Sequence, residues 1–182
     1  MKRNIMPGLD HLFQTSAFFE AASWVDHVDK IAWSIIQQPE LIDDLWEVVQ
    51  REDEISWRAA WTMDKINDKY PEMIHPFLNE LIIRAGKTKI NGIKRIFLKI
   101  ISLQPLPDDL TGNFVDFCFK TLRSSDEPIA VRVNAMQILF NVCLKIPDLT
   151  NELIFSIESI QNDASAGIIS KSKKLLKQLK KS

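Results

Sequence analysis

Apolar residues recur at spacings of three and four along most of the chain. Val25, Val28, Ile31, Ala32, Ile35 and Ile36 form one such set, and Leu41, Ile42, Leu45, Val48 and Val49 form the next. The same spacing returns in Ile74, Phe77, Leu78, Leu81 and Ile82, in Ile93, Ile96, Phe97, Ile100 and Ile101, and in Leu175, Leu176 and Leu179. Residues so spaced share one stripe of an α-helix. No window sustains the alternation of a strand, so the pattern predicts helices and no sheet. They fall near residues 10–21, 24–37, 39–51, 54–69, 71–85, 89–103, 108–124, 128–146, 147–161 and 166–180.

The breaks between stripes repeat as well. Pro39-Glu40-Leu41-Ile42, Pro71-Glu72-Met73-Ile74, Pro107-Asp108-Asp109-Leu110 and Pro147-Asp148-Leu149 each open a new apolar run. Proline suits the first turn of a helix, where its missing N–H would have no intrahelical partner, and the following acid complements the positive end of the helix dipole. Successive prolines lie 32, 36 and 40 residues apart. A second landmark keeps similar time: Trp57-Arg58, Ile93-Lys94 and Val131-Arg132 each set a cation after an apolar residue near a helix start, 36 and then 38 residues apart. Two markers recurring at this period, with two helices per unit, predict an all-α solenoid of about four to five helical hairpins.

Two segments carry a family resemblance. Asp53-Glu54-Ile55-Ser56-Trp57-Arg58-Ala59-Ala60 and Asp126-Glu127-Pro128-Ile129-Ala130-Val131-Arg132-Val133-Asn134-Ala135 resemble the acid-then-Val-Arg-Ala signature of HEAT repeats. The stretch from Ser56 to Ile82 also resembles small bacterial HEAT-like proteins, and the likeness runs over roughly 24–180. The middle repeat departs from it, with Lys94 in place of the arginine and no acid before it. The resemblance implies a right-handed α-α superhelix, a binding surface in place of catalysis, and a landmark cation that bonds acids or carbonyls between repeats. The expected organisation is a flexible leader over 1–8 and one repeat domain over 9–182, closed by a half-repeat near 166–182.

Composition narrows the function classes. The 182 residues are 46% hydrophobic and 26% charged, which excludes disorder and collagen-like structure. The longest uncharged run, Val133 to Leu144, is too short to span a bilayer. Two cysteines, Cys118 and Cys143, lie in apolar helical stretches without a CxxC, which suits a reducing cytoplasm and gives no metal motif. The net charge of −1 hides an asymmetry: residues 1–80 hold 7 Lys+Arg against 15 Asp+Glu, and residues 81–182 hold 16 against 9. Arg84, Lys87, Lys89, Lys94, Arg95 and Lys99 form one acid-free segment, and six lysines over 171–181 form another. Both are candidate contacts for an anion or a nucleic acid.

No nucleotide-binding, hydrolase or metalloprotease motif is present, and no catalytic, metal-ligating or cofactor-binding residue is assigned. Trp57 and Trp61 share a helix face with Asp64 and Asp68. This is a candidate ligand-binding face, since indoles beside a carboxylate hold cationic or flat groups. The competing reading is inter-repeat core, because Trp57 aligns with Ile93 and Val131, and Trp61 with Phe97 and Ala135. The same register sets Asp64 where Ile100 and Ile138 stand, a costly place for an unpaired carboxylate. Asp64 is therefore exposed, paired or functional, and Asp64→Asn is expected to change stability little. The sequence thus points to a cytoplasmic binding module or scaffold for another protein, with a nucleic-acid binder as the second class. A repeat-built DNA-alkylation glycosylase comes third.

Overall fold

The computed structural model describes residues 9–13, 24–53, 55–160 and 165–180. The expected leader, and the expected first helix beyond Phe13, lie outside them. Every regular element among the described residues is helical. The chain divides into two compact units, Met1–Phe77 and Leu78–Ser182.

In the first unit α1 (Asp10–Phe13), α2 (Trp24–Gln37), α3 (Ile42–Gln50), α4 (Ser56–Lys69) and α5 (Pro71–Ile74) follow in order. α4 packs against both α2 and α3. Val28, Ile35, Leu45, Val49, Met63 and Ile66 fill the space between them. The single turn of α1 is held from outside. Its last carbonyls accept from His27 Nε2 (to Leu12, 2.9 Å) and from Arg58 Nη1 (to Phe13, 3.2 Å). Those are groups that a short helix leaves without intrahelical partners. Before α4, Asp53 Oδ1 accepts from the backbone N–H of Ile55 and Ser56 and from Ser56 Oγ–H. The signature acid is thus a turn-forming residue, and the helix begins at Ser56, two residues later than the pattern predicts.

The second unit is three hairpins. They pair α6 (Leu78–Ala85) with α7 (Asn91–Leu103), α8 (Gly112–Arg123) with α9 (Ile129–Lys145), and α10 (Thr150–Ser159) with α11 (Ala166–Leu179). α9 packs on α7 at one side and on α11 at the other, so the second helices of the hairpins lie side by side. Ile93, Ile100, Val131, Ile138, Leu139 and Leu175 are buried along these contacts.

The prolines behave in three ways. Pro39 and Pro147 open short 3₁₀ turns that lead into α3 and α10. Pro71 opens α5 directly, and Pro76, which lacks an N–H, coincides with a 3₁₀ turn over His75–Phe77, after which α6 begins at Leu78. Pro107 opens no helix. Pro105 and Pro107 both disfavour helical geometry in the residue before them. Asp108 meanwhile turns to pair with Lys145 at 2.7 Å. The helix expected from 108 therefore starts at Gly112.

Candidate binding surfaces

The three landmark cations do related work. Arg58 donates to the Phe13 carbonyl, Arg132 Nε donates to the Leu122 carbonyl at 3.0 Å, and Lys94 Nζ meets Glu127 Oε1 at 2.7 Å. Each ties its helix to a preceding or following segment. Lys94 lacks the arginine fork and takes a carboxylate from the acidic turn that opens the next repeat.

α9 carries a polar stripe that sequence reading missed. Asn134 Nδ2 donates to the Arg95 carbonyl (3.1 Å), Asn141 Nδ2 to the Ser102 carbonyl (3.0 Å) and Lys145 Nζ to the Leu106 carbonyl (2.6 Å). All three bonds join residues 39 apart, so α7 and α9 run parallel in one register. Gln137 Nε2 donates to Asn141 Oδ1 at 2.7 Å, and Lys171 Nζ of α11 donates to Gln137 Oε1. A chain of donors thus crosses from α11 through α9 to a carbonyl of α7. Burial and the neighbouring Lys174 hold the Lys171 ammonium below its ordinary pKa. The readable signal was a run of amides at spacings of three and four inside an otherwise apolar helix.

On α4 the predicted face is partly rearranged. Trp57 and Trp61 stack at 6.1 Å between centroids and 14° between planes, and both are half-buried, neither core nor free surface. Asp68 is exposed. Asp64 is only 7% exposed, so it leaves that stripe and simple exposure no longer describes it. Lys65 stands in its place, with Nζ 3.1 Å from Asp29 of α2. Trp33 of α2, 51% exposed, adds a third indole surface to the unit.

The predicted basic segment is divided by the fold. Half-buried Arg84 lies in the last turn of α6, Lys87 and Lys89 in the turn that follows, and Lys94, Arg95 and Lys99 on α7. Lys87 borders a groove of about 360 Å³ between α6 and α8, lined by Ile82, Ile83, Phe114 and Phe117. Arg95 and Lys99 lie instead on the stripe of α7 beside α9.

A family model for the HEAT repeat domain matches residues 20–179, and the chain belongs to that family of helical-repeat proteins. Its all-α framework is an α-solenoid scaffold of the class the two sequence periods predict. No curated protein and no solved structure matches the chain. No helix among the described residues is long and apolar enough to cross a membrane.

Proposed function

We propose that the chain is a non-catalytic protein-binding module of the cytoplasm, with one repeat domain over 9–182 serving as a scaffold. The observation that carries this reading is the stacked, half-buried pair Trp57 and Trp61, on one helix stripe with Lys65 and exposed Asp68. Indoles offer a large contact area at small entropic cost and dominate the energetics of protein interfaces. Family membership supports it, since helical repeats commonly mediate protein contacts. The test is capture from a nuclease-treated lysate of the native cells, comparing the wild type with a Trp57→Ala/Trp61→Ala variant that keeps its helical circular dichroism. A protein retained by the first and lost from the second is the expected result. Identical retention by both removes the tryptophan face from the account.

Nucleic-acid binding is the second reading, favoured by the cations on α7, α9 and α11, which carry no acid at all. Elution from heparin at low salt counts against it, because phosphate contacts weaken steeply as salt rises.

A further inference from the structure

The acids on the helices of the second unit are sorted by helix role. The first helices of its hairpins carry them, Glu80 on α6, Asp116 on α8, Glu152 and Glu158 on α10, together with the cations Arg84, Lys120 and Arg123. The second helices, which lie side by side, carry cations and no acid. The loop carboxylates that reach α7 and α9, Glu127 and Asp108, are neutralised by Lys94 and Lys145. The side chains of Arg95 and Lys174, by contrast, make no hydrogen bond or ion pair with another side chain among the described residues.

The same face is not uniformly basic. Leu103 continues the line of Arg95 and Lys99 on α7, four residues on, and is 56% exposed. Leu144 lies three residues beyond Asn141 on the solvent stripe of α9 and is 64% exposed. Because α7 and α9 run parallel in register, the two leucines fall at the same end of the face, beyond Arg95 and Lys99 and next to the paired Lys145. Bare phosphate backbone makes no use of two exposed aliphatic side chains, whereas a polypeptide with carboxylates and leucine-like residues uses both parts.

We infer that the side-by-side helices α7, α9 and α11 form a docking surface for an acidic, aliphatic-bearing segment of a partner protein. Its carboxylates meet Arg95 and Lys174, and its apolar side chains cover Leu103 and Leu144. This rests on the protein-binding reading and gives the chemistry of a second surface, separate from the tryptophan pair.

Fluorescence anisotropy of the full chain tests it with three fluorescein-labelled probes of equal charge: a repeated Glu-Leu peptide, a repeated Glu-Ser peptide and a single-stranded oligodeoxynucleotide. The Glu-Leu peptide is expected to bind tightest. Arg95→Glu/Lys174→Glu and Leu103→Ser/Leu144→Ser are each expected to weaken it about tenfold, equivalent to about 1.4 kcal/mol. All four residues lie at the surface, and unchanged melting of the variants shows that the fold is kept. Three results overturn the inference: no binding of the Glu-Leu peptide, tighter binding of the oligonucleotide, or binding indifferent to either double variant. If the peptide fails while capture through Trp57 and Trp61 persists, this inference falls alone. If both fail, the protein-binding reading falls with it.

Discussion

Arg58 is 8% exposed and donates across to the Phe13 carbonyl, so replacing it strips a buried acceptor of its donor. Arg58→Ala is expected to cost about 1–3 kcal/mol in a urea or thermal unfolding curve. An unchanged midpoint would show that α1 contributes nothing to holding the unit together. Asp64 reverses its sequence-based expectation. It is buried and engaged in a polar interaction, so Asp64→Asn is expected to destabilise the protein by a similar amount. A gain in stability would return Asp64 to the category of strained, functional acids. The repeat register had set Asp64 on buried Ile100 and Ile138, and the register proved the better guide than the cost of burying an acid. For Trp57 and Trp61 the register was the poorer guide. Their counterparts Ile93 and Phe97 are buried, while the two indoles stack along the helix surface. Cys118 is wholly buried, which pushes its thiol far above the usual range, and burial raises Cys143 as well. At pH 8 a Cys143→Ser variant should therefore react with a disulfide reagent only as fast as it unfolds. Prompt labelling of the native protein would contradict the burial of Cys118.

At the scale of single helices, the caps are sparse, and this leaves room for improvement. Gly92 sits in the first turn of α7, and a Cβ built there meets nothing within 4 Å. Gly92→Ala is expected to raise stability by about 0.5 kcal/mol, chiefly by restricting the unfolded chain. Gly167 differs, since a Cβ there meets Ile129 Cγ2 at 3.4 Å, and its alanine variant is expected to gain less. Equal gains at both sites would mean that this contact yields without cost. Helix positions were readable wherever an apolar stripe was clean, because a single buried face dictates the spacing. The start of α8 was misread because Pro105 and Pro107 act together and Asp108 serves Lys145. That pairing lies 37 residues away and cannot be seen in a local window.

Across the molecule, the charge asymmetry in the sequence divides near residue 80, and the compact units divide at Phe77 and Leu78. The acidic and basic halves of the sequence thus fall largely in different compact units. The placement of Leu103 and Leu144 beside cations was hidden, because it depends on which helices lie next to each other. Within the second unit α9 contacts α7, α8, α10 and α11. Its amides are expected to be the slowest to exchange with deuterium and those of α11 clearly faster, as suits an end helix. Faster exchange in α9 would show that the unit opens from its middle. The three bonds from Asn134, Asn141 and Lys145 to carbonyls 39 residues earlier also bear on how such a chain can vary in evolution. They act as a vernier. A residue inserted after Leu106 and before α9 shifts every offset together and leaves each donor opposite its carbonyl. An insertion within α9, between Asn134 and Lys145, puts one rung out of phase with another. Related sequences should therefore differ in length at the loops while keeping the interval from Asn134 to Lys145 constant.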